Sequence, residues 1–332
     1  MAVVAGHYFM YSGFNSAPFN TPAMFLLGTL NSITAIGVPI FMMLTGYLTC
    51  RKTISRSYFK GITRVLVSYV VLSVVMILFR EMYLGEHMSP VKWLLKITDF
   101  SAIPYAWYIE MWIGLFLLTP FLNILWSGIA DRNHRKLLLF ILFLCSALPD
   151  FFNRYGVHLV PGYWESAAYP LLFFFAGAYI RDYRPAIDTR RGILAVLALA
   201  LINPLLSILL QPGGTMLHLT GDPNGIISTP VAILIFILLY TRNIGSSIAR
   251  GAVTRISLLS LDIYLISYMF DMIVYPCFAD MAGSDDAAVG WAFFLIVPVL
   301  FALDFSAAYV KDAIFRAVGF IGQKAKAVQR AV

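Results

Sequence analysis

A histidine set in an apolar run, VVAGHYFMY, is the first residue of this chain suited to moving a proton at neutral pH. His7 has a glycine on one side and a tyrosine on the other, so Gly6 leaves room and Tyr8 is placed to orient an imidazole. A lone histidine on an apolar helix also serves as plain packing, and its type alone does not separate the two roles. Other ionisable side chains fall in equally apolar surroundings: Glu110, Asp262, Asp271 and Asp304, with Lys60 and Arg64 at the edge of another run. Charges inside a bilayer are expensive and face the bundle interior or a wet cavity. Glu110 follows Trp107-Tyr108-Ile109, which reads equally as an aromatic sugar platform with a hydrogen-bonding acid or as an interfacial aromatic belt. Asp262 and Asp271 are nine residues apart, about 900° around a helix, so they face opposite sides and form no dyad. Asp262, nearer the inner end, is expected to pair with a loop arginine. Asp304 is expected to cap the inner end of the last helix beside Lys311.

Several chemistries are excluded by pattern. The other histidines, His87, His134, His158 and His218, fall in or near loops, and no two stand at a metal-ligand spacing. Cys50, Cys145 and Cys277 are far apart in apolar surroundings and read as packing residues, not as disulfide partners or metal ligands. There is no Gly-x-Ser-x-Gly elbow, phosphate loop or dinucleotide fingerprint. Any activity must be built from groups inside the membrane.

The elements that position these residues are membrane helices. The 332 residues are 60% hydrophobic and 12% charged, well outside the composition of soluble domains. Apolar runs of eighteen or more residues recur, each long enough to cross a hydrocarbon core of about 30 Å. The fold class is all-α: a polytopic transmembrane bundle of about ten segments, in one domain over residues 1–332. The segments are 1–11, 31–50, 63–79, 105–126, 136–149, 166–180, 192–210, 226–241, 256–277 and 288–310. Residues 37–64 organise the rest: an apolar helix with Gly37, Pro39, Thr45 and Gly46 runs into a basic loop carrying Arg51, Lys52, Arg56, Lys60 and Arg64. Pro39, Pro120, Pro170, Pro204, Pro230 and Pro298 are expected to bend their spans. The first segment rises only about 16 Å. It is expected either to begin upstream of Met1 as a truncated span or to plug against its neighbours as a half-helix.

Charge sets the orientation. With ten crossings and both termini cytoplasmic, only Arg80, Lys92, Lys96 and Arg154 of the 24 Lys+Arg lie outside. Residues 311–332 form a basic cytoplasmic tail. The net charge of +7 therefore reflects membrane topology, and nucleic acid is not an expected partner; the lipid bilayer is.

At this point the ordered motifs resemble acyltransferase family 3, ten-helix membrane O-acyltransferases of bacterial envelope and exopolysaccharide pathways. They are VVAGHYF with His7, GVPIFMMLTGYL, YFKGITRVLVSYV at the approach to the third helix, AWYIEMWIGLFLLTPFL, LLFFFAGAYI and SLDIYLIS. Three positions depart from the family pattern. An arginine about eleven residues before the first-helix histidine would fall before Met1. Gly61 stands where the first of two arginines is usual, leaving Lys60 and Arg64. Ser267 stands where the late pattern often has histidine.

The resemblance implies an acyl-CoA co-substrate, usually acetyl-CoA, used from the cytoplasmic side of a bacterial inner membrane, with no permanently bound cofactor or metal. It also implies a glycan or lipid-linked sugar acceptor. On that basis His7 is the general base. Lys60 and Arg64 bind the donor phosphates, and Trp107, Tyr108 and Glu110 bind the acceptor. Asp262, Ser267 and Asp271 are intramembrane polar support. The competing reading is a transporter of polysaccharide or lipid-linked sugar, which needs no CoA and tolerates loss of His7.

Overall fold

The computed structural model describes residues 1–153, 158–217, 225–282 and 286–329, with side chains described outside 279–289 and 318–329. Arg154 and His218, assigned to loops, lie outside the described residues. In chain order the helices are α1 (Ala2–Tyr11), α2 (Pro22–Thr34), α3 (Gly37–Thr49), α4 (Arg56–Lys60), α5 (Ile62–Met82) and α6 (Pro90–Thr98). After a 3-10 turn at Pro104–Ala106 come α7 (Trp107–Gly128), α8 (Arg132–Phe152), α9 (Glu165–Tyr183) and α10 (Thr189–Leu210). The chain continues as α11 (Ser228–Leu239), α12 (Ser247–Ala282) and α13 (Asp286–Gln329). No strand occurs among the described residues. In a membrane, helices satisfy every backbone group within one segment, which is why this composition folds this way.

Six stretches among the described residues are long and apolar enough to cross a membrane: Pro22–Thr49, Arg56–Met82, Pro104–Gly128, Thr189–Leu210, Ser247–Phe278 and Gly290–Ala317. The chain is a multi-pass membrane protein. All ten expected segments fall on helix, but 1–11, 136–149, 166–180 and 226–241 are not among these six stretches, α11 being a shorter apolar helix. Segment 31–50 is two helices, not one. Thr21 caps α2 by accepting from the Met24 N–H at 3.2 Å, and Pro22 opens its first turn. The break at Ala35–Ile36 follows from Pro39, which has no N–H to offer the carbonyl four residues back. Pro120, Pro170, Pro204 and Pro298 lie inside helices as expected. Pro39 and Pro230 instead fall in first turns, where proline is tolerated. Helix α6 lies between the expected segments. It buries Trp93 and leaves Val91, Leu94 and Leu95 exposed beside Lys92 and Lys96, a short amphipathic helix.

Close backbone contact fixes the centre of the bundle. A Cβ at Gly46 would stand 1.9 Å from the Phe174 carbonyl oxygen, and one at Gly177 would stand 2.0 Å from that of Met43. Helices α3 and α9 therefore cross at van der Waals distance of their main chains, the packing that small residues permit in lipid. Gly37 does the same for α1, since a Cβ there would meet Val3 at 2.6 Å. The far side of α1 packs Tyr8 and Phe9 with Phe14, Tyr275 and Phe293 in an aromatic cluster. Helix α1 is thus wedged between α3 on one face and α12 and α13 on the other, and His7 faces inward.

The helix ends assigned to the basic side lie together. Asn123 near the end of α7 donates to the carbonyls of Thr49 at 2.7 Å and Lys52 at 2.8 Å. Asp182 at the end of α9 accepts from Trp126 at 2.9 Å and pairs with Arg135 of α8 at 3.0 Å. Residues 311–329 continue α13 as helix instead of starting a separate tail.

Candidate active site

His7 and Asp271 meet in the bundle. Nδ1 of the imidazole lies 2.8 Å from Oδ2 of the carboxylate, and the two residues are 6% and 0% exposed. The contact is at ion-pair distance but off the line of a hydrogen bond, and Asp271 Oδ1 has no partner among the described residues. Tyr105 completes the group. Its hydroxyl donates to Asp271 Oδ2 at 2.8 Å, and its ring lies against the imidazole with centroids 4.1 Å apart. The Tyr11 hydroxyl is 3.0 Å from that of Tyr105. Because Tyr105 has one proton and gives it to the carboxylate, Tyr11 supplies the proton between the two phenols.

Three elements hold Tyr105 there. It sits in the 3-10 turn before α7, and the Tyr264 hydroxyl of α12 donates to its carbonyl at 2.5 Å. The preceding loop is clamped by Arg80 at the end of α5, buried at 8% exposure. Its guanidinium donates to the carbonyls of Ser101 at 3.2 Å and Ala102 at 3.0 Å, and pairs with Glu86 at 2.6 Å. Asp99 in that loop accepts from the Ser101 hydroxyl at 2.6 Å, and this bond holds its carboxyl below the usual carboxylate range.

A second polar centre lies nine residues back along α12, about 13 Å along the axis. Asp262 is bonded to Ser68 of α5 and, at 2.8 Å, to Lys311 Nζ of α13; Lys311 is also bonded to Ser68. The partner of Asp262 is therefore this lysine, not a loop arginine. Asp304, expected beside Lys311, is buried deeper in α13, and both its carboxylate oxygens lack a hydrogen-bond partner among the described residues. The opposite facing of Asp262 and Asp271 agrees with their spacing.

Three adjoining clefts run from the Asp262 centre to the start of α1. Lys60, Arg64, Ser68, Asp262 and Lys311 line a groove of about 790 Å³ at the basic end. It shares Val65, Ser260 and Leu261 with an apolar cleft of about 290 Å³ walled by Leu44, Tyr108, Trp112 and Tyr264. That cleft shares Phe41, Ser260 and Tyr264 with a third, of about 160 Å³, beside residues 1–4 of α1. Tyr264 is the last shared wall, and its hydroxyl holds the residue stacked on His7.

The sequence candidates divide among these places. His7 and Asp271 come together; Asp262 joins Lys60 and Arg64 at the groove. Ser267 is buried and donates to the Tyr264 carbonyl one turn back, at 2.8 Å. Trp107, Tyr108 and Glu110 do not form one platform. Tyr108 is buried edge-on to Tyr264, whereas Trp107 and Glu110 are exposed on another face of α7. Tyr8 does not orient His7. Neighbouring residues on a helix point about 100° apart, so Tyr8 turns toward Phe293 and Tyr275 and leaves the imidazole to Tyr105. Tyr11, Tyr105, Ser68 and Lys311 carry no sequence signal for these roles, because an interfacial tyrosine or an inner-end lysine is ordinary in a membrane protein.

The family model for an acyltransferase domain, that of acyltransferase family 3, matches residues 1–310, nearly the whole chain. The chain belongs to acyltransferase family 3. Neither the search of curated proteins nor that of solved structures returned a match. Membership makes this an acyltransferase-family membrane protein. Of the quoted motifs, VVAGHYF carries His7, YFKGITRVLVSYV lines the groove beside Lys60 and Arg64, and GVPIFMMLTGYL and LLFFFAGAYI supply the close α3–α9 crossing.

Proposed function

We propose that this protein is an O-acyltransferase of a bacterial inner membrane, with both termini cytoplasmic. It moves an acyl group, acetyl in the first instance, from acyl-CoA to a sugar hydroxyl of an envelope polysaccharide or lipid-linked glycan. The observation that carries this reading is the buried contact of His7 with Asp271, braced by Tyr105. A sugar hydroxyl is a poor nucleophile at neutral pH and needs a base positioned at its proton. A carboxylate beside Nδ1 favours the tautomer with its proton there and leaves Nε2 free to accept one. It also stabilises the imidazolium that forms.

The steps balance as follows. Nε2 of His7 takes the hydroxyl proton as the sugar oxygen attacks the thioester carbonyl. The new C–O bond forms, the C–S bond breaks, and the imidazolium returns its proton to the departing CoA thiolate. Lys60 and Arg64 are both exposed at the basic groove and have no acidic partner among the described residues, which suits them to the CoA phosphates. The chain of clefts supports threading of the long pantetheine arm from that groove toward Tyr264. Trp107 and Glu110, exposed at the start of α7, are the groups left for an acceptor on the opposite side, with Tyr108 packed behind them.

The test is chemical. Wild type and His7→Ala are expressed in a host with envelope glycan, and base-labile acetyl esters on the isolated polysaccharide are quantified. Esters that depend on the wild-type protein and vanish with His7→Ala are the expected result. Esters unchanged by His7→Ala would remove the histidine from the mechanism. CoA-independent movement of glycan, with no esters, would favour a carrier.

A further inference from the structure

We propose that Lys311 is a third cation of the donor groove, a phosphate-binding residue fixed in place by Asp262 and Ser68; this rests on the acyl-CoA reading above. The sequence puts Lys311 where a basic tail begins, but the fold puts its side chain inside the bundle, 16% exposed. It lines the same groove as Lys60 and Arg64. Its ammonium bonds Asp262 Oδ1 at 2.8 Å and the Ser68 hydroxyl, and the same carboxylate bonds Ser68. The three groups close a ring drawn from α5, α12 and α13.

An ammonium has three donors, and this ring occupies two. The remaining donor belongs to a charge whose position is already set, so a ligand phosphate meets it without first ordering a long side chain. The other acid of the groove does not compete, because Asp312 is engaged by Arg255 at 2.7 Å and by Arg316. Lys60 and Arg64 are exposed and carry no fixed geometry of this kind. The groove therefore combines two exposed cations with one preset cation, an arrangement fitted to a ligand with more than one phosphate group. Phosphate chemistry reaches this end of a membrane protein from CoA or from an anionic lipid head group, and the test has an arm for each.

The experiment measures CoA binding by calorimetry, with the full chain in nanodiscs of neutral phosphatidylcholine. Wild type is compared with Lys311→Met, Lys311→Arg and the double variant Lys311→Met/Asp262→Asn. The double variant removes the carboxylate that the single change leaves without its cation, so it guards against simple misfolding. Affinity is expected to fall about tenfold in both methionine variants and to be largely kept by arginine. Thermal stability, in contrast, should fall in the single variant and recover in the double. A purely structural lysine would restore affinity together with stability, and that result overturns the proposal. Wild type that binds no CoA overturns the acyl-CoA reading itself, a distinct failure. The last arm repeats the titration in phosphatidylglycerol nanodiscs. Loss of CoA binding there in wild type, but not in Lys311→Met, would give the groove to a lipid head group and overturn the donor assignment.

Discussion

Two buried carboxylates on one helix, Asp262 and Asp271, have opposite surroundings. Asp262 is closed by a lysine and a serine, so its charge is matched by a full cation. Asp271 is met by an imidazole and a phenol, and one of its oxygens has no partner among the described residues. A carboxylate paired with an ammonium is a fixed charge that locks neighbouring helices together. A carboxylate beside an imidazole can share a proton with it, and the imidazole can pass that proton on. In the proposed function, the same residue type serves as a brace in one place and as part of a proton-transfer group in the other. The difference lies in which helix each faces: α13 brings Lys311 to Asp262, while α1 brings His7 to Asp271.

Four substitutions break or sharpen that contrast. The largest effect is expected from His7→Ala, which removes the proton acceptor and should lower the rate of ester formation roughly 10²–10⁴-fold. The measurement is acyl transfer by the reconstituted protein, with CoA binding unchanged. Asp271→Asn keeps the shape but loses the charge, and should lower kcat about a hundredfold with little change in the KM for acyl-CoA. A change in KM alone would move Asp271 from the reactive centre to a packing role. At the other carboxylate, Lys311→Met strands a largely buried charge and should lower the unfolding free energy by about 2–3 kcal/mol, read as reduced thermal stability. Equal stability in Lys311→Met and wild type would deny the brace. The smallest effect is expected from Tyr105→Phe, which removes one hydrogen bond to a charged group and should cost about tenfold in kcat. If Tyr105→Phe matched Asp271→Asn, the phenol would be handling the proton itself.

Much of the fold could be read along the chain. All ten apolar segments fall on helices, and the spacing of Asp262 and Asp271 gave their opposite facing. The helix at Pro22–Thr34 was partly hidden because Asn31, Ser32 and Thr34 interrupt its hydropathy near a break imposed by Pro39. Helix α6 was hidden because nine residues of amphipathic helix are too short to show as a span. At the site, His7 stood out by its type, and Asp271 by being an acid in an apolar run. Tyr105, Ser68 and Lys311 did not stand out, since nothing local distinguishes them from belt or inner-end residues.

The sequence by itself determined the class of the protein, its helices, its basic face and the family to which it belongs. Those properties depend on composition and on order along one dimension: the length of each apolar run, the spacing of prolines, and the succession of motifs. Only the tertiary structure decided the pairings. His7 and Asp271 are 264 positions apart, and Lys311 stands 49 residues from Asp262 and 243 from Ser68. Whether a buried acid meets a cation or an imidazole depends on which helices touch. That is set by backbone contacts at Gly37, Gly46 and Gly177, where the absence of a side chain lets neighbouring elements close on one another.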